Sequence, residues 1–497
     1  MQLYIIYALL RTCIWIRRKR CGEKRGDDSM SELGQWLMLV VCSMNIVFIA
    51  VMLFVEKKRP ETALSWLLAL VFLPVVGFLL YLFFGLSLPL YQRWSVTRQQ
   101  KHRRVNVGSE AQSAAAGDSM MRMNERIGDG CLRADNQVEV FVSGRDKYSA
   151  LLADIEQASS TIHLLYFIIR NDRFGRHLLQ VLEIKARQGV RVRLLYDHGG
   201  SFFTSDELFR SLAEAGGEVR RFFPIRLGYY LRVNYRNHRK IVVIDGKIGY
   251  LGGMNIGEEY MGSDVANQIP WRDSHIRMEG SSVHDLQARF LADWHFAGGT
   301  ADSDAMVFFP PPGRTGATAV QIVSSGPQER TSAIKWNYLR MLYGAQKSVW
   351  LQTPYFVPDE SFVEGVRVAV SSGVEVRILL SARSDNRFVQ KVSVAYAEEL
   401  WRYGAQVAFY PGFLHSKMGI VDDWGVTLGT SNLDRRSFTL NFETNAILYD
   451  EKIAEQCRAF FCEDWASSRK MKSESDWARS PWVRCEEALW RLFAPLM

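Results

Sequence analysis

Cysteine is scarce in this chain, and metal-binding patterns are missing. There are 7 cysteines in 497 residues, and no CxxC or Cys/His metal spacing. An odd, sparse set of this kind argues against a disulfide scaffold. Disorder is excluded as well: 48% hydrophobic and 12% aromatic residues can offset the entropy of folding. Charge is missing altogether from two long stretches. Residues 33–55 and 62–92 contain no Asp, Glu, Lys or Arg. What charge there is sums to +8, which allows a nucleic-acid partner, an anionic membrane surface or acidic substrates.

The first charge-free stretch, 23 residues long, crosses a hydrocarbon core of about 30 Å as a helix. The second has its apolar part at Trp66 to Phe84, with Pro74 and Gly77 inside it, and a kink is expected there. A polar turn, Glu56-Lys-Lys-Arg-Pro-Glu61, separates them. The expectation is a two-helix transmembrane hairpin over 33–86. Lys and Arg number seven in residues 1–30, three in the turn and five in residues 93–104. The positive-inside rule then puts both ends in the cytoplasm. Trp36, Trp66, Tyr91 and Trp94 fit an interfacial belt. Residues 1–32 read as a basic N-terminal segment, too short in apolar length to span, with Met30 as an alternative start. The first span lacks a small-x-small cleavage site. Residues 87–134 read as a polar linker.

A duplication follows. Gly189-Val-Arg-Val-Arg-Leu-Leu195 is answered by Gly373-Val-Glu-Val-Arg-Ile-Leu-Leu380. Phe290-Leu-Ala-Asp-Trp294 is answered by Phe461-Cys-Glu-Asp-Trp465. Strands alternate with helical stretches, so the expected class is α/β. Two similar domains, 135–310 and 318–497, are expected to pack face to face, joined at Pro310-Pro-Pro-Gly313.

Each half carries one copy of a chemical pattern. The first is His238-Arg-Lys240 with Asp245, then Gly252-Gly-Met-Asn255. The second is His415-Ser-Lys417 with Asp422, then Gly429-Thr-Ser-Asn432. Chance supplies one HxKx4D in such a chain only on the order of a few hundredths of a time. In a regular strand His and Lys share a face, while Asp, at an odd offset, points away. Asp245-Gly246 then reads as a hairpin turn, and Asp273 and Glu443 are better candidates for orienting the imidazoles. Two Lys, two Asn (Asn255 and Asn432) and the small residues before each Asn suit a phosphate site. Two His add a nucleophile and an acid/base partner, which is what phosphodiester exchange requires. Neither half suffices, so the site is expected between them. His163, His177, His198, His284 and His295 have no partner spacing and read as ordinary structural or surface residues. His275 is open between site and packing. Tyr355-Phe356 divides between a groove and a core strand, and Arg435-Arg436 between a second phosphate contact and a solvated turn. Trp294 and Trp465 read as core.

These residues resemble the phospholipase D superfamily. Ser431-Asn-Leu-Asp-Arg-Arg-Ser-Phe-Thr-Leu-Asn-Phe-Glu-Thr-Asn445, Thr353-Pro-Tyr-Phe-Val-Pro358 and Glu56-Lys-Lys-Arg-Pro60 are similar to its bacterial cardiolipin synthases. The resemblance implies two duplicated α/β sandwich domains around a shared site. It implies His238, Lys240, Asp245, His415, Lys417 and Asp422 as catalytic residues, and no metal or cofactor. It also implies phosphatidylglycerol as substrate in a bacterial inner membrane, with the catalytic domains cytoplasmic. By analogy His238 is the nucleophile of a phosphohistidine mechanism and His415 the acid/base. A hydrolase of the same superfamily is the alternative, and a binding protein with a dead site fits the two intact motifs less well. Residues 1–104 carry a net +9 and residues 105–497 a net −1. The basic excess flanks the apolar runs, which favours an anionic lipid surface and leaves no basic domain for nucleic acid.

Overall fold

The computed structural model describes residues 28–56, 60–85, 118–127, 130–224, 234–261, 263–264, 269–300, 305–313, 315–327, 329 and 331–493. The N-terminal segment up to residue 27, most of the expected linker, the centre of the 56–61 turn, Tyr91 and Trp94 lie outside the described residues. The chain forms two compact units, one within residues 1–90 and one comprising nearly all the rest.

In the first unit, α1 (Asp28–Ala50) continues as a π-helix to Glu56. Gly34–Glu56 is long and apolar enough to cross a membrane. The second apolar run is not a second helix of that length. It splits into α2 (Pro60–Phe72) and α3 (Pro74–Leu80), the latter extended by a π-turn to Gly85. Pro74 has no N–H to continue the ladder, and Leu73 leaves the helical region (φ −125°, ψ 65°). The expected kink is a full reversal. A Cβ on Gly77 would lie 2.2 Å from the Ala69 carbonyl, so only glycine lets the two short helices close at that point. Trp66 meets Tyr81 edge to face at 5.2 Å, and the Tyr81 hydroxyl donates to Glu56 at 3.1 Å. Both ends of the second run therefore lie at the Glu56 end of α1. Asn45, half-way along the long helix, donates to the carbonyls of Leu70 (3.1 Å) and Pro74 (2.9 Å). The first of these is the carbonyl that Pro74 leaves without a helical partner.

The second unit is built on one 16-stranded sheet. In the first half, β1 (Arg133–Phe141) leads to parallel β2 (Thr161–Tyr166), β3 (Arg191–Asp197) and β4 (Glu218–Phe222). Antiparallel β5 (Ile241–Ile244), β6 (Ile248–Gly252) and β7 (His275–Glu279) follow. The second half repeats this with β8 (Thr318–Ser325), β9 (Ser348–Thr353), β10 (Glu375–Ser381), β11 (Gln406–Tyr410), β12 (Met418–Val421), β13 (Gly425–Gly429) and β14 (Asn441–Tyr449). The order is β4-β3-β2-β5-β6-β7-β1, then β8-β14-β13-β12-β9-β10-β11. β1 and β8 pair antiparallel, so each half covers an edge of the other. The halves are thus one hydrogen-bonded sheet as well as two facing layers. Residues of both halves form a common core, including Leu165, Leu251, Phe290, Trp294, Leu379, Leu428, Phe461 and Trp465. The helices of each half cover the outer face over its own core.

Candidate active site

Both His-Lys motif segments enter the unit just ahead of a strand, not within it. His238 to Lys240 precede β5, and His415 to Lys417 precede β12. Strand alternation therefore does not set the His–Lys spacing. Each segment is tied to the opposite half. Arg236–Asn237 pairs in parallel with Asn441–Phe442, and the His238 N–H donates to the Phe442 carbonyl at 3.0 Å. Phe413–Leu414 pairs in parallel with Trp271–Arg272, and the His415 N–H donates to the Arg272 carbonyl at 2.6 Å. One residue further along each partner segment stands a carboxylate.

Those carboxylates are the two picked out downstream of the motifs, and they are exchanged between halves. With the proton on Nδ1, His238 donates to Glu443 at 3.0 Å and also faces the Thr430 carbonyl at 3.1 Å. His415 Nδ1 meets Asp273 Oδ2 at 2.6 Å. Bonding at Nδ1 leaves each Nε2 for chemistry. Thr430 Oγ1 donates to Glu443 at 2.5 Å and fixes the carboxylate. Each lysine is held by its own histidine: Lys240 Nζ donates to the His238 carbonyl at 2.6 Å, and Lys417 Nζ to the His415 carbonyl.

Burial dominates the protonation of this cluster. It lowers His238 to about 4, helped by Lys240 and opposed by Glu443. It takes His415 well below its usual value, with Lys417 and Lys240 adding to the effect. It raises Asp273 to about 7 against the pull of Lys417. It lowers Lys417 to about 8 and Lys240 well below the usual range. Burial also opposes ionisation of Glu443, but His238 and Lys240 outweigh it and hold that carboxyl below its ordinary value. The cluster is thus short of negative charge. A phosphodiester anion would stabilise both ammoniums and any imidazolium.

The motif aspartates, grouped with the catalytic residues by resemblance, face away from this cluster. Asp245 accepts the backbone N–H groups of Ser159, Ser160 and Thr161 at 2.8 Å each. Asp422 accepts those of Gln346, Lys347 and Ser348 at 2.8–2.9 Å. Both adopt left-handed φ values, 51° and 45°. Each closes a hairpin turn and clamps the start of β2 or β9. The amide of Asn255 is engaged at both ends: its Oδ1 accepts from Ile168 N at 3.1 Å and its Nδ2 donates to Tyr260 at 2.6 Å. It braces the loop after β2. The buried Asn432 Oδ1 has no hydrogen-bond partner among the described residues, so of the two asparagines it is the one whose amide is not engaged at both ends.

The small residues before each Asn do not present free N–H groups. Thr430 and Ser431 N–H both donate to Asn445 Oδ1, and Gly253 N–H donates to the Ser274 carbonyl. Smallness is needed for another reason. A Cβ on Gly253 would lie 2.1 Å from the Asp273 carboxylate, and one on Gly429 2.4 Å from Asn445. The glycines let the strands carrying the orienting carboxylates come close.

Sequence reasoning missed the braces between halves. Arg239, between the motif His and Lys, is fully buried. It bonds Asp293 at 2.7 and 2.8 Å and Thr444 at 2.8 Å. Arg272 of the first half meets Asp464 of the second at 3.0 Å. Asp293 and Asp464 are the acids of the repeated Asp-Trp pairs, so that repeat was the available signal. Both tryptophans are buried in the core. His275 is buried with neither ring nitrogen hydrogen-bonded among the described residues, and burial holds it neutral. Phe356 is core, while the Tyr355 hydroxyl donates to Asp385. Arg436 is no solvated turn: it donates to Asn234 Oδ1 at 2.8 Å, and burial, then nearby Arg236, lowers its pKa.

Residues 151–294 and 338–465 match the family described as cardiolipin synthase, PLD-like domain. The chain belongs to that family. Residues 43–85 match the family described as phospholipase D-nuclease N-terminal. The cardiolipin synthase of Listeria innocua is 39% identical over 484 residues, 93% of this chain and 99% of its own length. The major cardiolipin synthase ClsA of Bacillus subtilis is 39% identical over 476 residues, 91% of this chain and 97% of its own. Among solved structures, phosphatidylserine synthase of Haemophilus influenzae superposes with a TM-score of 0.59 at 14% identity. It covers 76% of this chain and 98% of its own, a likeness of fold.

Proposed function

We propose that this cardiolipin synthase transfers a phosphatidyl group between two phosphatidylglycerol molecules, giving cardiolipin and glycerol. The observation that supports this best is the crossed pair of imidazole–carboxylate couples around two lysines. His238 Nε2 attacks phosphorus, its Nδ1–H held by Glu443. The bond from phosphorus to the glycerol oxygen breaks, and His415 Nε2–H protonates that oxygen. Neutral His415 then takes the proton of the second lipid's terminal hydroxyl. That oxygen attacks phosphorus, and the P–N bond returns its electrons to His238. The lysines stabilise the equatorial oxygens through both transition states. Asn432 would contact a phosphate oxygen through its Nδ2–H, the donor end of the amide. A lipid surface is the partner, and no step calls on nucleic acid.

For the membrane unit, we infer one crossing by α1. The second run enters the bilayer from the Glu56 face, turns at Leu73–Pro74 near mid-depth and returns to the same face. The Asn45 bonds at the turn support this, since carbonyls freed in hydrocarbon need partners.

The protein reconstituted with phosphatidylglycerol tests the reaction. Cardiolipin and glycerol are expected; phosphatidic acid without cardiolipin would make it a hydrolase. His238→Ala and His415→Ala should each abolish turnover, and only the latter should accumulate a phosphatidyl-enzyme.

A further inference from the structure

The two-carboxylate site opens at one end of the sheet. β5 and β12 run antiparallel to β2 and β9, so the catalytic segments that lead into them lie at the carboxyl ends of the parallel strands. The loops after β3 and β10 stand on the same side and form the rim.

The first of these loops is built rigidly. Ser201 Oγ accepts from Ile169 N and donates to the Phe167 carbonyl, both at 3.1 Å. Thr204 Oγ1 donates to the Ile169 carbonyl at 2.6 Å. Phe167 in turn stands edge-on to the His238 ring at 4.9 Å. With these polar groups turned inward, the two aromatic side chains of the loop are turned out. Phe202 is 58% exposed and Phe203 92%. On the other half, the loop after β10 runs into Phe388, 49% exposed and propped on Trp490 at 4.3 Å.

Charge on this rim has one sign to spare. Arg173, Arg383 and Arg387 are exposed and make no ion pair among the described residues. Of the neighbouring acids, Asp206 is ion-paired with Arg221, while Asp172 and Asp385 accept from neutral donors (the N–H groups of Gly175 and Glu258, and the Tyr355 hydroxyl) and keep their charge, so the three arginines exceed the two acids by one. Adjacent apolar rings beside unpaired cations complement an anionic bilayer, whose headgroups meet arginine while its acyl boundary takes phenyl rings.

We propose that this rim is a second membrane contact, separate from the N-terminal helix, and that Phe202, Phe203 and Phe388 seat in the headgroup layer of an anionic bilayer. A lipid then reaches His238 and His415 without exposing its acyl chains to water. The proposal rests on the lipid-substrate reading above.

Photo-cross-linking tests it in the full-length protein in phosphatidylglycerol vesicles. Benzoylphenylalanine replaces Phe203, Phe388 or, as a control, Ile184, which is exposed on the same helix as Arg173, about 16 Å along it. Phospholipid adducts are expected at 203 and 388 and not at 184. The double variant Phe202→Ser/Phe203→Ser should lose roughly tenfold in turnover on vesicles and keep its turnover on dispersed short-chain phosphatidylglycerol. Adducts at all three positions, protein–protein cross-links at 203, or equal losses on both substrates would overturn the proposal. Cardiolipin is assayed in the same vesicles. Its formation without an adduct at 203 defeats the rim contact alone, and its absence defeats the reaction assigned above.

Discussion

His238 and His415 share a motif but sit in different electrostatic settings, and the difference dictates a pH profile. His238, the proposed nucleophile, is held at about 4, so it is neutral over most of the accessible range. Asp273, raised to about 7 by burial, lets the His415–Asp273 pair keep a proton for the leaving oxygen until the pH climbs past that point. Turnover per substrate encounter, kcat/KM, should therefore fall below about 4, as His238 protonates, and above about 7, as the pair empties. Asp273→Asn cannot hold that proton. It should cost about 100-fold or more in kcat and displace the upper limb. Glu443→Gln should lower activity by a similar factor through loss of the Nδ1–H tautomer, and an unchanged rate and profile would refute its role. The motif aspartates belong to another class. Asp245→Ala loses three backbone hydrogen bonds to a carboxylate and places alanine at φ 51°. We expect about 2–3 kcal/mol lost in denaturant unfolding, with the pH profile of the folded enzyme unmoved.

At the scale of elements, each catalytic segment is a short bridge between halves, and its braces decide whether it stays there. Asp293, on the helix Ser282–Phe296, holds both Arg239 (2.7 Å) and the Asn237 amide (3.0 Å). Asp293→Ala leaves a fully buried guanidinium without its partner, so stability should fall by about 3–5 kcal/mol. Activity should fall further than unfolding accounts for, because Asn237 precedes His238; equilibrium unfolding alongside kcat separates the two effects. This layer shows where sequence reading stops. The motifs, their duplication and the α/β alternation were legible because they are written in local spacing. The turn at Asp245 was legible from the Asp-Gly pair, but the odd offset from His238 was not its cause, since His238 and Lys240 lie ahead of the strand. Asp273 and Glu443 could be picked out as acids near the motifs, but their exchange between halves depends on which strand lies beside which. Nothing in the spacing around Arg239 reveals that it spans a domain boundary. The glycines before Asn255 and Asn432 were read as an anion nest, whereas close strand packing explains them.

The whole molecule must bring water-insoluble lipid to this buried site, and its first unit decides how the chain enters the bilayer. Composition alone suggested two crossings, because residues 62–92 are as free of charge as residues 33–55. Hydropathy counts apolar length and does not register a change of direction. Pro74 makes that change by removing one ladder bond, Gly77 lets the returning helix close, and Asn45 accommodates the turn half-way along α1. The two arrangements differ in one observable. With two crossings, the chain just before α1 and the chain just after Gly85 lie on the same face of the membrane. With one crossing and a returning loop, they lie on opposite faces. A protease site inserted after Ser31 and another after Gly85 distinguish them in sealed, uniformly oriented vesicles. We expect each site to be cut only from its own face, and cleavage of both from one face would restore the two-span hairpin. Asn45→Leu should weaken the loop, since the Leu70 and Pro74 carbonyls would then face hydrocarbon without a donor, at a cost of about 1–2 kcal/mol. That variant should raise cleavage after Gly85 from the opposite face, because a run released from its turn is long enough to cross.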